Sequence, residues 1–317
     1  MYLITPAKEK MNKILKVLYR FIFNPELRFS YLTLIGLTRH IPDEDFLRKE
    51  YYYRMGKQLN LDNPITFTEK LQWLKLYDRR KEYTMMVDKA AVKQYVSQTI
   101  GDQYIIPTIG VWKHFDDINF DKLPEKFVLK CTHDSGGIVI CKDKSGFKKA
   151  EAKKKLEFYL RRKYFYMHRE WPYKDVEPKI IAEKYMEDTV TGELRDYKFF
   201  TFNGIPKALF IATGRQKEGM ETTFDFFDMN YNHLDIKNGH PNATTPPEMP
   251  VNFEKMKELA GKLSKGIPHV RVDFYECNGR VYFGELTFSH WSGMVPFEPE
   301  EWDYTFGSWI DLPIKST

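Results

Sequence analysis

Polar and apolar residues alternate in Val270-Arg271-Val272-Asp273-Phe274-Tyr275 and again in Val281-Tyr282-Phe283-Gly284-Glu285-Leu286-Thr287. This is the two-residue period of half-buried strands, and Asn278-Gly279 between the two segments marks a tight hairpin. The pairing places a carboxylate on each strand, Asp273 and Glu285, with Arg271 on the face of Asp273. Two such carboxylates suit one hard cation that also takes phosphate oxygens; ordinary salt bridges on an exposed sheet face are the bland alternative. Upstream, Phe127 to Cys131 reads as a buried strand containing Lys130, a charge that needs an anionic partner there. The tight loop Asp134-Ser135-Gly136-Gly137 then leads into a strand over Ile138 to Cys141. Further strands are expected at 179–186, at 196–202 with a turn at Asn203-Gly204, and at 207–212, with a strand-like run at 104–106.

Helical signals separate these strands. Thr66 and Glu69 form a capping box ahead of Leu71, Trp73, Leu74 and Tyr77. Other helices are expected from Asp88 to about Gly101, over 148–165, and over Phe253 to Leu263. The polar stretch 214–223, with Arg215 and Lys217, reads as a loop, and 236–250, rich in Pro, Asn and Thr, as a long irregular connection. Strands mixed with helices and hairpins indicate an α+β fold, not a doubly wound parallel sheet.

Composition narrows the class. The 317 residues are 42% hydrophobic, 29% charged and 16% aromatic, which describes a globular protein large enough for two or three subdomains. Cys131, Cys141 and Cys277 have neither metal-ligand spacing nor the number for a disulfide framework, so a reducing cytoplasm is expected. No signal peptide or transmembrane run is evident. The net charge is +5, and residues 1–40, with seven Lys or Arg and two Glu, carry all of it. The neutral remainder argues against nucleic-acid binding. Ile14, Leu18, Phe21 and Ile22 share a helical face among Lys13, Lys16 and Arg20, a pattern that suits peripheral contact of residues 1–24 with an anionic membrane, or packing on the protein itself.

In chain order, Asp88-Lys89 with Lys93, Lys130 with Ser135-Gly136-Gly137, Ile181 to Met186, and Arg271-Val272-Asp273 with Glu285-Leu286-Thr287 resemble the motifs of ATP-grasp enzymes. Asn63-Pro64, Glu69 to Trp73, Asp196 to Phe200 and Phe283 to Phe288 resemble the TupA-like group of surface-polysaccharide pathways, over roughly residues 40–310. The resemblance implies a basic helical segment over 1–60, a helical linker over 61–124, a lid over 125–187 and a metal-binding subdomain over 188–317. ATP and Mg²⁺ are the implied cofactors. Lys93, Lys130, Ser135, Gly136, Gly137, Glu183, Lys184, Met186, Asp196 and Lys198 would hold the nucleotide. Asp273 and Glu285 would hold the metal, with Thr287 where the family usually has Asn. Arg271, Lys130 and Lys198 would be catalytic. The implied reaction joins a carboxylate to an amine through an acylphosphate, on a uronic acid or other carboxylate of a surface polysaccharide. Candidate substrate contacts are Arg215, His133, Ser289 and His290, either histidine serving as base.

Three rivals stand beside this. Asp43-Glu44-Asp45 is an Asp-x-Asp pattern of metal-dependent glycosyltransferases, although acidic residues there also favour a helix N-terminus. A sugar kinase would use the same ATP-grasp site, and a non-enzymatic scaffold on the membrane face of a polysaccharide-assembly system, a complex that residues 1–24 could also contact, would bind nucleotide without turnover.

Overall fold

A computed structural model describes residues 21, 23–189, 192, 194–214, 219 and 221–315. The amphipathic pattern before Phe21, Ile22, and the candidates Arg215 and Lys217 lie outside the described residues. Among the described residues the chain runs through α1 (Pro25–Leu34), α2 (Asp43–Met55), α3 (Phe67–Tyr77), α4 (Glu82–Val87) and α5 (Val92–Ile100) before its first strand. Asn24 caps α1 by accepting from Leu27 N–H at 2.9 Å, and Pro25 at the first helical position needs no donor partner. The Asp43-Glu44-Asp45 cluster begins α2, where carboxylates meet the positive end of the helix dipole. The capping box forms as expected: Thr66 Oγ1 accepts from Glu69 N–H at 3.3 Å, and the Glu69 carboxylate accepts from Thr66 N–H at 3.1 Å. Asp303 secures the same helix end from far along the chain, accepting from Thr68 N–H at 2.8 Å and its hydroxyl at 2.7 Å.

The small sheet has the order β1-β4-β2-β3 and is antiparallel throughout, with β1 (Thr108–Trp112), β2 (Phe127–Cys131), β3 (Ile138–Cys141) and β4 (Ile180–Lys184). One face carries Phe127, Leu129, Cys131, Ile180 and Ala182 against α6 (Lys149–Leu160). The other face carries Lys130 and Glu183. The sheet also includes β1, which lies ahead of residue 125 in the chain. At 104–106 the expected strand is replaced by a 3-10 turn over Asp102–Tyr104, because the pairing partner of β4 lies further on at 108–112. The expected helix over 148–165 stops at Leu160, and a short helix, α7 (Phe165–His168), follows.

The large sheet has the order β10-β9-β5-β6-β7-β8, also antiparallel: β5 (Asp196–Phe202), β6 (Ile205–Thr213), β7 (Thr223–Asp228), β8 (His233–Leu234), β9 (Val270–Cys277) and β10 (Arg280–Thr287). One face packs Phe199, Val272, Phe274 and Phe283 against α8 (Phe253–Leu263). The other packs Phe200, Phe202, Phe210 and Phe226 against Phe67 of α3 and Phe306 of α9 (Glu301–Ser308). Covered on both faces, β5 is buried at every position. A run such as Asp-Tyr-Lys-Phe-Phe-Thr-Phe, with aromatics on both sides, fits that location.

Candidate active site

At one end of the large sheet two rows of side chains cross three strands. The register sets Lys198 opposite Asp273 and Asp273 opposite Glu285; the next row runs Phe200, Arg271, Thr287. Strand alternation puts both rows on one face and sends Val272 and Phe274 to the core. The Asp273–Glu285 match needs a bulge. Unbroken pairing from the Asn278-Gly279 turn would set Asp273 against Gly284, but the register shifts between Phe283 and Glu285. The extra residue turns Glu285 and Thr287 onto the cleft face and Leu286 into the core. A side chain at Gly284 would press on the Asp273 carbonyl oxygen at 3.0 Å, so this close approach calls for glycine.

Arg271 organises the rows. Its Nε donates to Asp273 Oδ1 and its Nη2 to Asp273 Oδ2, both at 2.7 Å, a planar fork that only arginine makes. Lys198 Nζ also contacts Asp273 Oδ2, and it lies 3.2 Å from Asp196. Nη2 of Arg271 reaches Thr287 Oγ1 at 3.0 Å and Glu285 at 3.4 Å. On the other side, Nη1 donates to His290 Nδ1 at 2.6 Å. His290 Nε2–H then donates to Asn238 Oδ1 at 2.8 Å, and the Asn238 amide donates to the carbonyls of Val295 and Pro296. The donor directions leave one solution, a neutral His290 protonated at Nε2. Burial, with Arg271, His269 and Lys198 nearby, holds its pKa well below the ordinary value. With both nitrogens engaged, His290 has no capacity to act as a base. His133 is also set aside as a base: its Nε2 is bound to the Arg162 carbonyl at 3.1 Å, and it does not border the cleft.

On the lid side, Lys130 has the partner its strand requires. Its Nζ lies 2.7 Å from Glu183 Oε2, and Lys93 from α5 lies 2.5 Å from Glu183 Oε1. Burial raises the Glu183 pKa, but Lys130 and Lys93 outweigh it and hold the carboxyl below its ordinary value. In place of a lone acceptor for adenine, Glu183 is the counter-ion of two lysines. Lys184 and Met186 do not border the cleft, and Lys184 N–H is taken by the Pro107 carbonyl at 3.0 Å. Gly136 and Gly137 likewise stand off the cleft: Gly136 N–H is held by Asp134 at 2.8 Å, and side chains at these positions would collide with Tyr159 and Cys131. Close packing accounts for both glycines, while Ser135 does border the cleft.

The cleft between the sheets has a volume of about 690 Å³ and brings together Lys93, Lys130, Ser135, Glu183, Asp196, Lys198, Arg271, Glu285, Thr287, Ser289 and His290. Asp273 lies just beneath, 1% exposed. The sequence reading assigned no role to Lys89, Glu170, His168 or Asn238. Lys89 borders the cleft, donates to the Asp134 carbonyl at 2.7 Å, and has a pKa lowered by burial. Glu170 accepts from Ser292 Oγ at 2.6 Å. His168 borders the cleft with Nδ1 on Glu50 Oε1 at 2.6 Å. Nothing local in the sequence marks this pair, whose members lie 118 residues apart.

Among the described residues no cluster of three or more His, Cys, Asp or Glu could hold a metal alone. The donor set nevertheless fits Mg²⁺, which is commonly held by one or two carboxylates together with substrate phosphates. Glu285 is the less engaged carboxylate of the rows, and among the described residues Asp273 Oδ1 accepts from Arg271 Nε alone. Thr287 serves first as a partner of the Arg271 guanidinium. The surrounding cations suit a polyphosphate.

The chain belongs to the TupA-like ATPgrasp family, whose model matches residues 69–311. No curated protein matches it. Among solved structures it is similar to a D-alanine–D-alanine ligase from Bacillus anthracis complexed with ATP (16% identity, 64% of this chain and 54% of that chain, TM-score 0.37). It is also similar to the D-alanine–D-alanine ligase from Helicobacter pylori (14%, 77% and 69%, TM-score 0.40). A third is the ATP-grasp ligase PsnB complexed with minimal precursor, Mg and ADP (7%, 70% and 57%, TM-score 0.38). The chain spans little more than half the length of the Bacillus anthracis ligase and PsnB.

Two outcomes follow from this geometry. Burial raises the Glu285 pKa, but Lys198, Lys89, Arg271 and Lys130 together pull it down from 4.5 to about 2. A depressed folded value contributes stability that is complete above the unfolded value and is lost as pH falls through the folded one. The stability difference between wild type and Glu285→Gln, from urea unfolding, should therefore shrink between about pH 5 and about pH 2; a constant difference would show that those cations do not hold the carboxylate. Second, Asn238→Leu should lower kcat about tenfold or more, about 1.4 kcal/mol of barrier, with KM for ATP unchanged. His290→Gln, whose amide can accept from Arg271 and donate to Asn238, should retain more activity than His290→Leu. Equal rates in all three variants would remove the positioning of Arg271 by this relay.

Proposed function

We propose that the protein is an ATP- and Mg²⁺-dependent carboxylate–amine ligase, acting on a uronic acid or other carboxylate of a surface polysaccharide. The observation that carries the reaction type is the single cleft that Arg271, Lys198, Lys89 and Lys130 line together with Glu285, whose carboxylate lies 3.4 Å from Arg271 Nη2. This is a cationic floor with one acidic position, as a metal-bound polyphosphate requires. Bound there by Glu285 and Asp273, Mg²⁺ would neutralise phosphate charge. Lys130 and Lys89 bind the phosphates from the lid side, and Lys93 and Glu183 orient Lys130. Arg271, fixed by Asp273 and His290, presents its guanidinium to the acyl oxygen. A substrate carboxylate oxygen takes the terminal phosphoryl group, giving ADP and an acylphosphate. An amine attacks that carbonyl, phosphate leaves, and the amide remains.

The amine's proton goes to His168. Its Nδ1 is engaged by Glu50, which leaves Nε2 as the acceptor. Saccharide as the carboxylate carrier is supported by membership of the family and by the resemblance of the Asp196 to Phe200 and Phe283 to Phe288 segments to the polysaccharide-pathway group, and by no single residue.

ADP and free phosphate should be released with Mg²⁺ only when a carboxylate such as a uronic acid and an amine are both present. Glu285→Gln and Arg271→Met should each cut turnover at least about a hundredfold, roughly 3 kcal/mol. Release of ADP without free phosphate would make the protein a kinase, and turnover of nucleotide-sugars without ATP a glycosyltransferase. His168→Gln should abolish amide formation with ordinary amines yet spare hydroxamate formation with hydroxylamine, which is unprotonated at neutral pH and whose more acidic adduct can lose its proton to water. Equal loss on both nucleophiles would remove His168 from the proton transfer.

A further inference from the structure

Helix α1 is apolar on two opposite faces. The inner face buries Phe29 and Thr33, with Phe29 in a cluster with Phe46, Leu47 and Tyr51 of α2. The outer face, at three- to four-residue spacing, exposes Phe23 (67%), Leu27 (40%), Tyr31 (51%) and Leu34 (50%), and Leu37 just beyond the helix continues it at 59%. A helix with one buried stripe normally turns charged residues to water, and a contiguous exposed apolar stripe marks an interaction surface. The sole acidic residue of α1, Glu26, is turned aside to Arg54 of α2, 3.5 Å away.

We propose that this outer face of α1 docks on the surface of an anionic lipid bilayer. Charge selects the occupant. Residues 1–40 hold seven Lys or Arg and two Glu, +5 in all, equal to the net charge of the whole chain. A second copy docking through the same face would bring Arg28 and the basic stretch that precedes α1 in the sequence toward their own copies, which opposes a two-fold contact. Anionic headgroups instead gain from each basic residue near the surface, while the apolar stripe enters the headgroup–acyl boundary. No described helix is long and apolar enough to cross a membrane. Arg54, which touches Glu26 and Ser30 of α1, also borders the active-site cleft. Docking of α1 would therefore bring Arg54 of α2, and with it one edge of the cleft, toward the lipid surface. The inference is independent of the ligase reading.

The test is sedimentation of the full chain with vesicles of phosphatidylglycerol and phosphatidylcholine, against phosphatidylcholine alone. Binding is expected to the anionic vesicles, to weaken with salt, and to fall about tenfold or more in Leu27→Gln/Tyr31→Gln, which removes apolar area without adding charge. These side chains are exposed, so the melting temperature should be unchanged. Absence of binding by wild type, or full binding by the double variant, would overturn the proposal. So would a wild-type dimer that the double variant dissociates, which would make the face a contact between copies.

Discussion

A buried charge must be matched where it lies, and the site is arranged by that requirement. Arg271 is 7% exposed and Asp273 1%; without each other either would be strongly destabilising, because a lone ion taken out of water costs several kcal/mol. Their two-bond fork fixes the guanidinium in plane, Lys198 completes the balance, and His290 is forced into the neutral state that can accept from Nη1. Glu183 plays the corresponding part across the cleft, between Lys93 and Lys130. The cations of the cleft are thus held in position by carboxylates before any phosphate arrives. Such preorganisation avoids reorganisation during reaction.

The wall beside Arg271 is held under backbone strain. Trp291 and Ser292 adopt left-handed conformations, with φ of 48° and 56°, and Gly293 follows at 63°. For a residue with a side chain this costs about 1–2 kcal/mol, so the surroundings must over-determine it. They do so through buried polar groups. Gln72 Nε2 donates to the carbonyls of Ser292 and Gly293, each at 3.0 Å, and Lys75 Nζ donates to Ser292 O at 2.7 Å. Glu170 accepts from the Ser292 hydroxyl. Burial lowers the Lys75 pKa to about 8, against the opposing pull of Glu170 and Glu50. These bonds run from α3 and from the segment after α7, so the amino-terminal helices are tied directly to the turn that follows β10. Residues 168, 169 and 170 complete the tie: His168 meets Glu50, Arg169 lies 3.0 Å from Asp43, and Glu170 meets Ser292.

Much of this was legible in short stretches of sequence, because short-range physics decides it. The capping box at Thr66 and Glu69, the hairpin turn at Asn278-Gly279, the bounds of β5 and those of α8 all follow from periodicity, caps and turn chemistry among neighbouring residues. The face shared by Arg271 and Asp273 follows from strand alternation alone. The need of Lys130 for an anion could also be read, since an apolar strand cannot carry an unpaired charge.

Which partner meets each charge was not legible, since this depends on strand register and on contacts across long separations. The register shift at Gly284 turns Glu285 toward Asp273, yet the local pattern is equally compatible with unbroken pairing. Asn238 sits in an irregular stretch where no periodicity assigns a face, and only the folded chain brings it to His290. Glu183 looked available to a nucleotide until α5 brought Lys93 against it. The sequence by itself determined the strands, the helices and the kinds of charge the site would use, because those depend on neighbours along the chain. The tertiary structure alone decided which of those charges are engaged and which, like Glu285, stay open to the cleft, because neutralisation acts through space.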